Sequence, residues 1–330
     1  MDTERSRSRL EGCYTTIPTM FRDDEDLSVD HDAIRQHVRF LIDGGLTTGN
    51  AVLLAGGAAG DFSTMTFDER ISVWDAAITE ANGRVPIAVG GQTLSTLELV
   101  RLVKAAARAG ADYVQVSPPF YHSHTEGDFL DHIMAAAAAA DIGLIVYNTY
   151  WTSLGLSSTL VEKLADMPNV VSLKWATPDT AMMTFEGVVS RFGKRFAIID
   201  NQMRYVTSHI LGARSIELHV ANYWPQWAVA LWQKLERGEY AQAQRDMVNV
   251  AMPFMELWVE IEGYTGGDGY LDKLCMELVG QPSSRNRPPT RDVRDRFREQ
   301  TRQMLLKAGV PNVAAGSPPH RSQEAVTAHG

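Results

Sequence analysis

The sequence predicts an α/β fold: a closed (β/α)8 barrel of the TIM type with a C-terminal helical appendix. Two observations predict it. Eight short apolar runs, at 14–18, 51–55, 85–89, 113–116, 143–147, 170–174, 196–199 and 215–220, alternate with stretches of helical period, and each run has about the five or six residues of an ordinary strand. The runs are continuously apolar, as parallel strands covered by helices on the outside must be. A doubly wound open sheet has the same alternation, and periodicity alone does not separate the two; strand count and length favour the barrel.

The connecting helices carry their own signatures. Ile34, Val38, Leu41 and Ile42 fall at i, i+4, i+7 and i+8, one apolar helix face, and the pattern stops at Gly44-Gly45. Thr66-Phe-Asp-Glu69 is a capping-box signature opening a helix through Ile71, Trp74, Ala77 and Ile78. Further helices cover 94–109, ending at Gly110, and run from about Asp128 into the alanine stretch 135–140; shorter ones follow at 158–165, 180–192 and 203–211. After the eighth strand only helical patterns remain, at 225–235, 240–261, 270–279 and 291–306. The organisation expected is an N-terminal extension (1–10), the barrel (11–223), a C-terminal helical region (224–310) and a flexible tail rich in Ala, Gly, Ser and Pro (311–330).

Composition narrows the function. Hydrophobic residues make up 45% and charged residues 22% of 330 residues, the balance of a folded soluble protein. A net charge of −9 repels phosphate backbones, so no nucleic-acid partner is expected. No run approaches the ~18 apolar residues of a membrane span, and the charged start MDTERSRSRL leads into no signal-peptide core. Cys13 and Cys275 read as reduced thiols. A cytoplasmic enzyme is expected.

In such barrels chemistry sits where strands end. The run 169–174 ends in Lys174. That lysine is either a salt-bridged strand end or a desolvated amine able to attack a carbonyl carbon. The preceding strand ends in Tyr147, and neighbouring strands lie ~4.8 Å apart, so the two side chains can meet in one mouth. Beside an imine-forming lysine, Tyr147 becomes a proton donor and acceptor. The loop Ala55-Gly-Gly-Ala-Ala-Gly60-Asp61 lacks dinucleotide-fingerprint spacing, but its small residues suit a backbone nest for a carboxylate. Tyr121 lies in the loop after the fourth strand. Glu217 interrupts the eighth apolar run and needs either an ion partner or a place in a polar pocket. His124, Asp128 and His132 fall at i, i+4 and i+8, a spacing that could ligate a metal, though no third ligand strand accompanies it.

Taken together, Gly56–Asp61 followed by Thr66-Phe-Asp-Glu-Arg70, GADYVQVSPPFY (110–121), LIVYN (144–148) and VVSLKWAT (170–177) resemble the dihydrodipicolinate synthase / N-acetylneuraminate lyase family of class I aldolases. The similarity extends over about residues 10–310. It implies a tetramer built as a dimer of dimers, with no cofactor because the substrate is held as an imine on Lys174. Tyr147 then falls on the proton-shuttling tyrosine and Tyr121 on an interface tyrosine that reaches a neighbouring subunit's site. Ala58 and Ala59, next to Gly57, occupy the paired hydroxyl positions that hold the carboxylate of a 2-oxo acid. Here the chain departs from the family: two alanines leave only backbone N–H groups for the carboxylate and break the Tyr–Thr–Tyr relay. Thr152 stands about where the synthases carry an arginine for the aldehyde substrate's carboxylate. Tyr150, Trp151, Trp175 and Trp224 suggest a bulkier, less charged partner substrate. The expectation is a Schiff-base lyase acting on a 2-oxo acid, an aldolase or hydratase-aldolase of the pyruvate type rather than an authentic dihydrodipicolinate synthase. The candidate site is Lys174, Tyr147 and Tyr121, with Gly57, Ala58, Ala59, Thr152 and Glu217 binding substrate. A sugar-acid dehydratase or deaminase using the same lysine, a metal-dependent lyase, and a non-catalytic keto-acid-binding barrel are the alternatives.

Overall fold

The computed structural model describes residues 2–178 and 182–314. Eight strands form a closed, all-parallel barrel in sequential order, β8 pairing back onto β1. They are β1 (Gly12–Ile17), β2 (Ala51–Ala55), β3 (Ile87–Gly90), β4 (Tyr113–Val116), β5 (Gly143–Tyr147), β6 (Val170–Trp175), β7 (Ala197–Asp200) and β8 (Ser215–Glu217). The helices are α1 (Thr3–Ser8), α2 (His31–Asp43), α3 (Phe67–Ala81), α4 (Thr96–Ala109), α5 (Glu126–Ala139), α6 (Ser158–Ala165), α7 (Met182–Phe192) and α8 (Tyr205–Leu211). The appendix adds α9 (Pro225–Glu236), α10 (Tyr240–Asp246), α11 (Met252–Glu262), α12 (Tyr270–Leu278) and α13 (Arg294–Ala308). The closed sheet decides for the barrel over the open sheet.

Local chemistry accounts for the helix ends. Thr66 and Glu69 form the capping box read from the sequence, and Gly110 ends α4 in the left-handed conformation. Most boundaries shift by one to three residues, and three differences stand out. The eighth strand stops at Glu217 and turns into a short 3-10 helix, His219–Asn222, instead of running to residue 220. The helix expected over 240–261 is broken by a π-helical turn, Met247–Ala251; Pro253 lacks the N–H that would bond residue 249, so the ladder widens there. Met203, with φ 55, lies outside α8 rather than in it. The expected helix start at residue 180 and most of the expected tail, 315–330, lie outside the described residues.

Two apolar clusters separate inside from outside. Tyr14, Val52, Leu54, Ala88, Tyr113, Ile145, Val171, Ala197 and Ile199 pack together with Leu10 along the barrel axis, while the opposite strand faces join the helices in the main core. Tyr113 donates to the Ser6 carbonyl at 2.7 Å, so α1 and Leu10 close the N-terminal end. The pairing of β5 with β6 skips Val171: Leu144 faces Val170, and Ile145 faces Ser172. That extra residue flips the later part of β6 by one position. Leu173 and Trp175 consequently join the outer core, and Lys174 comes into register with Tyr147 inside the mouth.

The appendix packs onto the open end. A buried ion pair between Lys273 of α12 and Asp61 of the β2 loop, 2.8 Å, joins the two, and Thr19 fixes the same loop by donating to the Gly60 carbonyl at 2.7 Å. Gly269 (φ 74) lies so close that a Cβ there would meet the Ala59 carbonyl oxygen at 2.3 Å. Only glycine suits both that contact and that φ.

Candidate active site

A cavity of about 670 Å³ opens at the C-terminal ends of the strands, where barrel chemistry resides. Lys174 lines it and is 4% exposed. Its Nζ lies 4.6 Å from the Tyr147 ring centre, 5.2 Å from that of Tyr14 and 3.7 Å from Glu217 Oε1. Burial pulls the Lys174 pKa below the usual lysine value, although Glu217 and Asp268 pull the other way. A lysine so placed has a larger fraction of free amine at neutral pH than one on the surface.

Tyr147 receives a hydrogen bond from Asn201 Nδ2 at 3.0 Å, which leaves its own O–H free to donate. Burial, followed by the charges of Glu217 and Asp268, raises its pKa well above the usual tyrosine value, so it enters the site as a neutral phenol. The neighbouring Asn148 is structural: it donates to the Ala176 carbonyl at 2.8 Å and accepts from the Leu156 amide, tying the β5–α6 loop to the end of β6. Tyr14 donates to Gln115 Oε1 at 2.9 Å.

Beside the amine lies an acidic cluster. Glu217 Oε2 is 3.4 Å from His219 Nε2, and His219 Nδ1 is 3.0 Å from Asp272 Oδ2. Asn222 donates to Asp272 Oδ1 at 2.9 Å. Burial opposes charge on His219, but Glu217, Asp272 and Asp268 outweigh it and raise its pKa to about 10. Asp268 is pushed up to about 7, by burial first; His219 opposes the shift, and Asp272 and Glu217 add to it.

The expected residues divide. Lys174, Tyr147, Ala58, Ala59 and Glu217 all line one cavity. Gly57 sits just behind it, its carbonyl accepting the Gly60 and Phe62 amides that fold the loop. Thr152 is not in the cavity wall: it is exposed, and its hydroxyl donates to the Thr149 carbonyl at 3.0 Å. Tyr121 is 78% exposed on the β4–α5 loop, outside this cavity. Of the aromatic residues, Tyr150 and Trp151 line the wall together with Trp258 and Met255, whereas Trp175 is fully buried in the outer core and Trp224, partly buried, packs against that core near Trp227. The metal-site spacing does not converge. Asp128 closes the capping box of α5, and His132 is held 2.8 Å from Thr96; no metal-binding group of three such side chains occurs among the described residues.

Sequence reasoning missed Tyr14, Gln115, Asn201, His219, Asp268 and Asp272. Asn201 directly follows β7 and His219 lies two residues past β8, so both fall under the rule that found Lys174. Asp268 and Asp272 come from the appendix, where no local pattern marks them.

The sequence profile described as the dihydrodipicolinate synthetase family matches residues 9–308. The chain belongs to that family. It is 25% identical over 302 residues to the 4-hydroxy-tetrahydrodipicolinate synthase of Methanospirillum hungatei, covering 90% of this chain and 99% of the relative. It is 29% identical over 291 residues to a Methylobacterium radiotolerans protein named Probable 5-dehydro-4-deoxyglucarate dehydratase, covering 87% and 91%. A chloride-inhibited dihydrodipicolinate synthase from Acinetobacter baumannii complexed with pyruvate superposes with a TM-score of 0.79 at 25% identity, over 91% of this chain and 99% of that one. As a member of this family the chain is an enzyme, a lyase. Among the described residues no helix is long and apolar enough to cross a membrane.

Proposed function

We propose that this chain is a Schiff-base lyase for a 2-oxo acid, an aldolase or hydratase-aldolase of the pyruvate type and not an authentic dihydrodipicolinate synthase. The observation that carries this reading is the buried Lys174 amine, facing a cavity beside Tyr147 and Glu217. Its attack on the keto carbon gives a covalent imine, an electron sink that lowers the barrier to a carbanion equivalent at C3. No cofactor is needed for that step. Tyr147 moves protons at the reacting oxygen. The Gly57–Ala58–Ala59 turn holds the carboxylate through its amides and so places the carbonyl carbon at the amine.

Two features speak against the synthase activity. The alanines supply no hydroxyl relay. Among the described residues the cavity lining includes no arginine to grip a second carboxylate and presents Tyr150, Trp151 and Trp258, a wall that accepts a bulky or hydroxylated group. The dehydratase reading, expelling water from a sugar acid through the same imine, is the second, supported by the relative named for that activity. In the family arrangement Tyr121 serves a neighbouring subunit of a cytoplasmic homotetramer, and its exposed position suits that role. The test is intact-mass measurement after borohydride reduction with a panel of 2-oxo acids. The expected result is one adduct of acid mass on Lys174. Unmodified protein with every acid refutes the reading.

A further inference from the structure

Ala58 and Ala59 carry no hydroxyl to pass protons on to Tyr147, but a different chain of titratable groups reaches the same amine. Asp272, His219 and Glu217 lie end to end, at 3.0 Å and 3.4 Å, and Glu217 Oε1 stands 3.7 Å from Lys174 Nζ. Asp272 is fully buried, and Glu217 and Lys174 are nearly so. Each carboxylate oxygen of Glu217 thus faces a different partner, one the amine and the other the imidazole. The Tyr205 hydroxyl donates to the Glu217 backbone carbonyl and pins the strand end that carries it. An ion pair meant only to neutralise Lys174 would be expected to close to direct contact, as Lys273 and Asp61 do at 2.8 Å. The looser 3.7 Å separation sits in the open cavity, where substrate can come between the groups.

We propose that Glu217 is the general acid that expels the carbinolamine hydroxyl and the general base at C3, and that His219 and Asp272 are positioning residues that hold its carboxylate toward the amine. The inference rests on the Schiff-base reading above. The proton balance closes with a single proton shared between Lys174 and Glu217. With that proton on Glu217, the neutral amine adds to the C2 carbonyl, and the N–H proton passes to the carbonyl oxygen. The carbinolamine C–O bond then breaks as Glu217 protonates the departing hydroxyl, releasing water and leaving a protonated imine beside the Glu217 carboxylate. That carboxylate next removes a proton from C3, and the C–H electron pair forms the enamine. Glu217 is again protonated, ready to return the proton on the way back. Tyr147, its phenol fixed by Asn201, carries the amine proton to the substrate oxygen in the addition step. His219 keeps the second Glu217 oxygen occupied, so that the first remains aimed at the reacting atoms.

The test compares wild type with Glu217→Gln, Glu217→Asp and His219→Gln in D2O. Pyruvate, 2-oxobutyrate and 2-oxoglutarate serve as probes, with proton exchange at C3 read by NMR and the adduct read by mass after borohydride reduction. Loss of general acid–base catalysis is expected to slow C3 exchange in Glu217→Gln by roughly 10²–10⁴-fold, while long incubation still yields the Lys174 adduct. Glu217→Asp, with its carboxylate drawn back, is expected to lose at least about tenfold and decides the matter should Glu217→Gln not fold. His219→Gln is expected to lower the exchange rate at saturation with little change in the pyruvate concentration giving half-maximal rate, a split that a merely structural defect would not produce. Exchange within about threefold of wild type in Glu217→Gln or Glu217→Asp, with the adduct present, overturns the role of Glu217 and leaves the imine reading standing. Absence of the adduct from wild type with all three acids overturns the imine reading itself and the inference with it.

Discussion

Lys174 and Lys273 are two buried lysines with opposite fates. They are 4% and 1% exposed, and burial lowers the pKa of each below the ordinary lysine value. Lys273 is sealed: 1% exposed, its ammonium meets Asp61 at 2.8 Å and lies 4.7 Å from the Phe21 ring centre, outside the lining of the cavity that holds Lys174. Lys174 has its carboxylate at 3.7 Å and a cavity in front of it. Burial alone therefore does not make a nucleophile. A desolvated amine becomes one when its counter-ion is loose enough to exchange a proton and a substrate can reach it. The tight pair does different work, holding the β2 loop, with its Ala58–Ala59 turn, against the appendix.

This contrast predicts a graded series. The largest effect is expected from Lys174→Ala, which should abolish turnover and borohydride trapping while the circular dichroism spectrum stays native; turnover near wild type would remove Lys174 from the mechanism. Tyr147→Phe should slow turnover by roughly 10²–10⁴-fold, and a loss below tenfold would assign that proton transfer to another group. Lys273→Met leaves Asp61 buried without its partner and should destabilise the fold by about 3–5 kcal/mol in denaturant melts, with trapping on Lys174 retained under native conditions. Loss of trapping in a folded Lys273→Met protein would mean that the two lysines are not separable in this way. Ala59→Thr, which restores a hydroxyl at the cost of space, should weaken binding of the present substrate about tenfold; tighter binding would contradict the view that the alanine makes room.

The smallest effect is on pH dependence. The folded-state pKa of His219 is raised to about 10 from 6.5. Its charged form therefore stabilises the fold fully below pH 6.5, and that contribution is lost as pH rises toward 10. The melting temperature of wild type minus that of His219→Gln should fall across this interval, and a flat difference would show that the network around Lys174 carries no such charge.

The barrel was legible because its signals are local. Eight apolar runs, their intervening helical stripes and the Thr66–Glu69 capping box each lie within a few residues, and the structure reproduces them. Lys174 and Tyr147 were legible for the same reason, as polar groups closing apolar runs. Boundaries failed where local signals conflict with geometry, as at Pro253, whose missing N–H forces the π turn, and at Glu217, where β8 ends early. Thr152 was placed by correspondence with a family position, but the loop after β5 turns that side chain back onto Thr149.

By itself the amino-acid order determined the alternation of strands and helices and the identity of the strand-end amine, since period and hydropathy act between near neighbours. Tertiary structure alone decided which face Lys174 occupies, through the one-residue slip at Val171. It also decided which acids meet that amine. Glu217 and His219 come from the end of β8 and Asp272 from a helix of the appendix; their separation in the chain leaves no periodic trace, and only the packing of α12 over the barrel mouth brings their charges within a few ångströms of one another.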